Sequence, residues 1–142
     1  MNNKMSLTFL AISQNEAFAR NVIASFMLSL NPTLSQLNEV KTAVSEAVTN
    51  AIVHGYPNGN GEVFIKSTIE NGVIHIEIKD NGVGIENVNL AIEPFFSTKV
   101  DEERSGMGFT VMKSFMDEVN VESKLNEGTI VKMSKRILNN DT

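Results

Sequence analysis

Glu46 and Asn50 are the first two side chains whose types and spacing could do chemistry. Residues four apart on a helix lie on one face, with Cβ atoms about 5–6 Å apart. A carboxylate in that position could act as a general base, and the amide oxygen could ligate a hard cation. The same pair is also typical of a solvated helix end, so the functional interpretation depends on what the rest of the chain places beside it.

A second group is the segment Asp80-Asn81-Gly82-Val83-Gly84-Ile85, which follows a strand with isoleucine at alternate positions. Asp80 is in phase with those isoleucines, so its carboxylate is predicted to face the core, where it needs a partner. An acceptor-only carboxylate suits an amino group such as that of adenine, and Gly82 and Gly84 would let a ligand approach the backbone closely. A calcium loop is excluded because the two glycines stand where that loop needs oxygen ligands. A tight turn capped by the aspartate is the structural alternative.

Gly106 and Gly108 immediately precede a predicted helix over Phe109–Met116. Free N–H groups and the helix dipole make such a helix start suitable for phosphates. The dinucleotide-binding fingerprint would need a third glycine where the chain has Val111, and no Gly-Lys-Ser or Gly-Lys-Thr occurs in the sequence. We therefore expect a phosphate site that belongs to neither of those two architectures.

Two single residues complete the set of candidates. Thr129 follows Gly128 at the start of the last predicted strand and could place a hydroxyl or a bridging water near Asp80, although a hairpin turn explains the same two residues. Arg20 and Glu16 are the only charged residues on the first predicted helix, which makes Arg20 a tentative partner contact. A solvated side chain is the alternative for Arg20.

The elements that must position these residues follow from hydrophobic periodicity and from turn signals. Asn71-Gly72 between two β-rich runs is the strongest hairpin signal in the chain. The predicted elements are a strand (Lys4–Ile12), a helix (Glu16–Leu30), a helix from about Ser35 that Gly55 and Pro57 stop, a hairpin (Glu62–Glu70 and Val73–Asp80), an aperiodic lid (83–106), the helix Phe109–Met116 and a closing hairpin (Val119–Leu125 and Thr129–Ile137). This order predicts an α+β fold, a two-layer α/β sandwich with a mixed, mostly antiparallel sheet and helices on one face.

Length, charge and composition limit the kinds of protein that this chain could be. A length of 142 residues predicts one domain over 1–142. The net charge of −5 argues against direct nucleic-acid binding, and the absence of cysteine excludes disulfides and thiolate metal sites. No apolar run approaches the roughly 20 residues that span a bilayer, and the N-terminus lacks the pattern of a signal peptide. We expect a cytoplasmic protein without membrane contact.

The order of these motifs resembles the Bergerat ATP-binding fold of the GHKL superfamily, which includes gyrase, heat-shock chaperones, histidine kinases and MutL. The resemblance runs from about Ser35 to Ile137 and begins with Glu-x-x-x-Asn on a helix. Within the superfamily, the segment from Glu46 to Tyr56 is similar to that of the small anti-sigma-factor serine kinases. A segment from Glu93 to Lys99 also resembles the lid-flanking part of histidine kinases, but no helical hairpin with a phosphoacceptor histidine precedes it. We also find no transducer domain after it, and these two expected absences argue against a histidine kinase, a topoisomerase subunit and a mismatch-repair clamp.

The resemblance implies a role for each candidate residue, with ATP or ADP and Mg²⁺ as cofactors. Asp80 would bind the adenine amino group, with Thr129 helping through water. Asn50 would ligate Mg²⁺, and Glu46 would be the catalytic base. The glycines implied at the nucleotide are Gly82 and Gly84 along the base, and Gly106 and Gly108 at the phosphates.

Three hypotheses of function follow. The first is an anti-sigma factor that binds a sporulation sigma factor, phosphorylates a serine of its anti-sigma-factor antagonist and forms a homodimer, as the resemblance implies. The second is a nucleotide-gated binding module, in which ATP only orders the lid. The third is an ATPase clamp like those of gyrase or MutL, which would hydrolyse ATP without a protein acceptor.

Overall fold

The computed structural model describes residues 2–86 and 103–137, and for residues 103–107 the backbone alone. Its strands form a five-stranded sheet in the order β1-β2-β3-β5-β4. The elements are β1 (Asn3–Leu10), α1 (Gln14–Met27), α2 (Leu34–Asn50), β2 (Glu62–Glu70), β3 (Val73–Asp80), α3 (Glu103–Phe115), β4 (Glu118–Lys124) and β5 (Gly128–Arg136). A 3₁₀ turn (Leu28–Leu30) extends α1, and a π-helical turn (Ala51–Gly55) extends α2.

The sheet and helices form two layers, as the sequence predicts. Every pair of neighbouring described strands is antiparallel. Burial alternates along β2 and β3, so one face of the sheet is covered while the other carries exposed polar residues. The covered face contributes Ile65, Ile76 and Met133 to a core that also contains Ile23 of α1 and Val44 of α2. The α+β architecture with helices on one face is therefore confirmed.

The hairpin that carries Asp80 has the predicted bounds. Asn71 and Gly72 take positive φ angles of 52° and 80°, as the predicted two-residue turn requires. This turn fixes the register, in which Val63 lies opposite Asp80. The side chain of Asp80 consequently shares the covered face with the isoleucines, as the alternation predicts, and Asp80 is 5% exposed.

The helix that carries Glu46 and Asn50 has a defined start and an unusual end. Thr33 and Gln36 form a capping box, in which each side chain accepts the backbone N–H of the other at 3.1 and 2.9 Å. The helix begins at Leu34, one residue before the predicted start. Its α-helical part ends at Asn50, and the chain continues through the π-helical turn to Gly55, the predicted stop.

The prediction that α3 starts at Phe109 is wrong. The helix begins at Glu103, so Gly106 and Gly108 lie inside it instead of before it. A glycine within a helix costs only about 1 kcal/mol relative to alanine, so packing against α2 can extend the helix through both glycines. Gly108 is the sixth residue of α3, beyond the first four N–H groups that lack an intrahelical partner, so it does not provide the predicted helix-start phosphate site.

The predicted lid is corrected at one end and untested elsewhere. Residues 103–106 belong to α3, so a lid cannot extend as irregular chain to residue 106. Residues 83–86 lie outside any helix or strand, and residues 87–102 lie outside the described residues. In the described ranges, no helix is both long and apolar enough to cross a bilayer.

Candidate functional site

Asp80 ends β3 as a buried carboxylate. Its Oδ1 atom accepts the N–H of Gly82 at 2.9 Å, and its carboxylate also accepts the N–H of Thr129. Burial raises the pKa of Asp80 above its usual 3.8, and these two hydrogen bonds oppose that rise. The carboxylate is thus held in place by backbone donors that leave it acceptor capacity for a further donor.

The π-helical turn after α2 packs directly on Asp80 through Gly55. A Cβ atom added at Gly55 would lie 2.8 Å from Cγ of Asp80, closer than real Cβ atoms approach other atoms. The carbonyl of Gly55 accepts the N–H of Val83 at 2.9 Å, and a Cβ at Gly82 would overlap that carbonyl. The absence of side chains at Gly55 and Gly82 therefore allows the end of α2 to contact the turn after β3.

Glu46 and Asn50 meet α3 at Gly108. A Cβ atom added at Gly108 would lie 3.0 Å from Oε2 of Glu46 and 3.4 Å from Nδ2 of Asn50. Both side chains are half-buried. The structure thus confirms that Glu46 and Asn50 share a face, and it brings Gly108 against them although Gly108 is inside a helix.

Asn50 has a buried polar atom without a described hydrogen-bond partner. Its Nδ2 atom is buried and has no hydrogen-bond partner among the residues that the structure describes. An unsatisfied buried donor is unfavourable, and rotation of the carboxamide would present Oδ1 at the same place. A phosphate oxygen would satisfy the nitrogen, and Mg²⁺ would suit the oxygen, since this ion takes few protein oxygens and several from substrate phosphates and water. The donor set at Asn50 therefore fits a magnesium-bound phosphate chain.

Thr129 lies beside Asp80, as predicted. The two residues are directly opposite each other in the pairing of β3 with β5. The hydroxyl of Thr129 is 2.7 Å from that of Ser123 on β4. Ser123 also accepts the N–H of Ile85 at 2.7 Å, so the β4–β5 hairpin holds the chain that leaves the Asp80 turn.

Gly84 lies where this outgoing chain crosses the hairpin. Its φ angle is +74°, and a Cβ there would overlap the carbonyl oxygen of Lys124. Asn126 donates its N–H to the carbonyl of Val83 at 2.6 Å. Gly84 is thus required for packing in the described structure, whereas its predicted contact with the base is a proposal.

A cavity of about 330 Å³ adjoins the Asp80 turn. Gly82, Asn81 and Tyr56 line part of it. The Tyr56 hydroxyl accepts the N–H of Asn81 and donates to the carbonyl of Glu62, both at 2.7 Å. Asp80, Glu46 and Asn50 are not among the lining residues, so the cavity lies beside the site.

The site has two clusters: Asp80 with Gly55 and Thr129, and Glu46 with Asn50 and Gly108. No described contact joins Arg20 or Gly106 to either cluster. Nε of Arg20 lies 3.5 Å from Oε2 of Glu16 on the same helix, and the Arg20 side chain is 37% exposed. Gly106 is placed by its backbone within α3. Their roles stay predictions.

Comparison with known proteins shows the family to which the chain belongs. Residues 11–135 match the family described as a histidine kinase-like ATPase domain. A protein named anti-sigma F factor from Geobacillus sp. (strain WCH70) is 57% identical over 96% of this chain and 94% of its own length. Proteins of the same name from Priestia megaterium and Clostridium acetobutylicum are each 54% identical, over 98% and 96% of this chain and 96% and 95% of their own lengths. The chain belongs to the anti-sigma F factor family of histidine kinase-like ATPase domains.

Solved structures show the same fold for this anti-sigma F family member. The RsbU and RsbW domains of a Mycobacterium tuberculosis protein match with a TM-score of 0.68 at 15% identity over 95% of this chain, which spans 32% of that longer structure. The catalytic domain of the histidine kinase ThkA matches with a TM-score of 0.60 at 15% identity, over 94% of this chain and 96% of its own. The expected Bergerat-type fold is therefore confirmed.

Two residues of this anti-sigma F family site were not predicted. Gly55 was interpreted only as a helix stop, and its contact with Asp80 depends on the π-helical turn. Ser123 lies in a strand with no motif around it, and only the strand pairing shows that it faces Thr129. The position of Gly55 after Glu46 and Asn50 on the same helix could have indicated that it lies near the site. No feature of the sequence indicates the same for Ser123.

Proposed function

We propose that this chain is an anti-sigma factor with ATP-dependent protein serine kinase activity. It would bind and inhibit a sporulation sigma factor and phosphorylate a serine of the anti-sigma-factor antagonist. The observation that carries the kinase half is the meeting of Glu46 and Asn50 at Gly108 on α3. The anti-sigma half rests on relatives 53–57% identical that carry the name anti-sigma F factor.

The nucleotide roles follow from the two clusters. Asp80 accepts a hydrogen bond from the adenine amino group, with Thr129 beside it, while Gly82 and Gly84 line the base. Gly106 and Gly108 would lie along the phosphates as residues within α3, not through free N–H groups at a helix start. The side chain of Asn50 would hold the magnesium. The ion supplies neutralisation of phosphate charge, which phosphoryl transfer requires along with in-line positioning.

Glu46 is the general base of the proposed transfer. The hydroxyl oxygen of the acceptor serine forms a bond to the γ-phosphorus, and the bond from that phosphorus to the oxygen of the ADP leaving group breaks. The hydroxyl proton passes to the Glu46 carboxylate. A module that only sensed nucleotide would need no such base.

The proposed assembly is a homodimer that acts in the cytoplasm, where sigma factors work. β1 pairs with β2 and forms one edge of the described sheet, so its other side offers unpaired backbone groups to a second copy. Arg20 is proposed as a contact for the protein partners, because its side chain is 37% exposed.

Mixing the protein with Mg-ATP and the antagonist tests this proposal, with phosphoserine as the readout. Glu46→Gln should slow the transfer by about 10²–10⁴-fold, the usual contribution of a general base. Glu39→Gln on the same helix is the matched control. Oε1 of Glu39 lies 3.7 Å from Nζ of Lys135, so this carboxylate forms an ion pair with β5.

The outcomes separate the three hypotheses. If Glu46→Gln phosphorylates as fast as the parent, the assignment of the base is wrong. Sigma binding that depends on nucleotide without phosphoserine would favour the nucleotide-gated module. Steady ATP hydrolysis without the antagonist would favour the ATPase clamp.

A further inference from the structure

Three polar side chains form a row across the covered face of the sheet. Asp80 on β3 lies opposite Thr129 on β5, and Thr129 lies opposite Ser123 on β4. Residues directly opposite each other in antiparallel strands project to the same face. The row therefore extends the proposed adenine acceptor by two hydroxyl groups.

The hydrogen bonds of Ser123 favour one direction for the bond between the two hydroxyls. Ser123 has one hydroxyl proton, and it donates that proton to the carbonyl of Gly128 at 2.9 Å. Its oxygen also accepts the N–H of Ile85 at 2.7 Å. All three contacts of Ser123 are hydrogen bonds at the same time only when Thr129 supplies the proton in the 2.7 Å contact between the two hydroxyls. Thr129 has no second hydroxyl proton, so toward any ligand its oxygen can only accept.

We propose that Ser123 is a positioning residue that sets the base selectivity of the nucleotide site. By taking the hydroxyl proton of Thr129, it makes Thr129 a second acceptor beside Asp80. Two neighbouring acceptors fit a purine with an amino group at position 6, directly or through one water, and disfavour a purine with an oxygen there. This inference rests on the proposed nucleotide-binding function.

Ser123 also has a structural role that the experiment must separate from selectivity. Its bond to Ile85 holds the chain that leaves the Asp80 turn, together with the bond from Asn126 to Val83. Loss of that anchor would weaken all nucleotides alike, because it does not distinguish position 6. The ratio of two affinities is therefore more informative than either affinity.

The test measures dissociation constants of ATP and of inosine triphosphate, which has an oxygen in place of the amino group, by calorimetry with Mg²⁺ and the full chain. Ser123→Ala should lower the preference for ATP about tenfold, because Thr129 is then free to donate to the 6-oxygen. Ser123→Thr keeps a hydroxyl and should keep the preference. Ser67→Ala is the matched control, since Ser67 donates to a strand carbonyl, that of His75, elsewhere in the same sheet.

Thr129→Val tests whether Ser123 affects selectivity through the hydroxyl of Thr129 or in some other way. It should lower the preference as Ser123→Ala does, and the double variant should lower it no further. An unchanged preference in either single variant, additive losses in the double variant, or a parent that binds both nucleotides equally would overturn the inference. If Ser123→Ala does not fold, Ser123→Cys replaces it, because a thiol of similar size is only a weak acceptor for the Thr129 hydroxyl. A parent that binds no ATP would instead overturn the proposed function.

Discussion

At the scale of single residues, the site depends on polar atoms whose partners are incompletely supplied by the residues that the structure describes. Asp80 is buried and receives two backbone N–H groups, and Asn50 has a buried nitrogen without a described partner. Each of these is unfavourable for folding, and a ligand that completed the hydrogen bonding would offset that cost. Glycine completes the site from the opposite side, since Gly55 and Gly108 let the backbone approach Asp80 and Glu46.

The pH dependence of binding is predicted from Asp80. Burial raises its pKa above 3.8, so in the interval between that value and the raised pKa the folded state binds more protons than the unfolded state. The contribution of Asp80 to stability therefore falls as pH rises through this interval. Preference for ATP over inosine triphosphate should do the opposite and weaken as pH falls, because a protonated carboxyl loses acceptor capacity. Calorimetric titrations with both nucleotides at a series of pH values measure this.

The use of a ratio removes the titration of the phosphates, which are the same in both nucleotides. Asp80→Asn is the control and should abolish both the preference and its pH dependence. A preference that stays constant from neutral pH down to the acid limit of folding would contradict the assignment of Asp80.

At the scale of elements, the crossing of α2 and α3 is what assembles the proposed catalytic group. The two helices pack against each other, and Gly108 lies against Glu46 and Asn50. The helix propensity of alanine exceeds that of glycine by about 1 kcal/mol, so selection for helix stability alone would not place glycine there. The close approach supplies the reason for it.

Gly108→Ala is predicted to separate stability from activity. The added methyl group would lie 3.0 Å from Glu46 and must displace it, so phosphoserine formation should slow by about tenfold or more, as expected when a catalytic group is misplaced. The free energy of unfolding should change by no more than about 1 kcal/mol, because the gain in helix propensity offsets the crowding. Urea unfolding and the phosphoserine assay measure the two effects.

Ser114→Ala is the matched control on the same helix, since Ser114 is exposed and bonds only the Thr110 carbonyl among the described contacts. It should leave the transfer rate unchanged. A Gly108→Ala variant with full activity would show that α3 does not shape the site.

At the scale of the whole molecule, the two clusters are held by one sheet and one helix. α2 carries Glu46 and Asn50 and continues into the π-helical turn, whose Gly55 contacts Asp80 at the end of β3. The β4–β5 hairpin closes the other side through Ser123 and Asn126. A nucleotide that touched both clusters would bridge parts of the chain far apart in sequence and stabilise the fold as a unit.

Thermal unfolding should reveal this bridging. At a Mg-ATP concentration of 100 times the dissociation constant, stability should rise by about 2.7 kcal/mol, which corresponds to an increase of roughly 5–10 °C in Tm for a domain of this size. Asn50→Ala should remove the part of the increase that depends on Mg²⁺ while retaining a smaller increase with ATP alone. An equal Mg²⁺-dependent increase in the parent and in Asn50→Ala would contradict the role of Asn50.

The sequence alone determined the features that depend on local chemistry. The Asn71-Gly72 turn and the alternation of β3 specify the hairpin and send Asp80 to the covered face, and a spacing of four puts Glu46 beside Asn50. The order of the motifs also sufficed to identify the fold. These outcomes follow because backbone geometry has fixed periods of 2 and 3.6 residues.

Only the tertiary structure decided which residues of different helices and strands are in contact. The start of α3 at Glu103 depends on packing against α2, so the prediction that Gly106 and Gly108 precede the helix is wrong. The contacts of Gly55 with Asp80 and of Ser123 with Thr129 depend on a π-helical turn and on strand order, neither of which has a local signal in the chain. Contacts between residues far apart in sequence depend on the packing energy of the whole core. A short segment of sequence does not determine that energy, so it cannot predict these contacts.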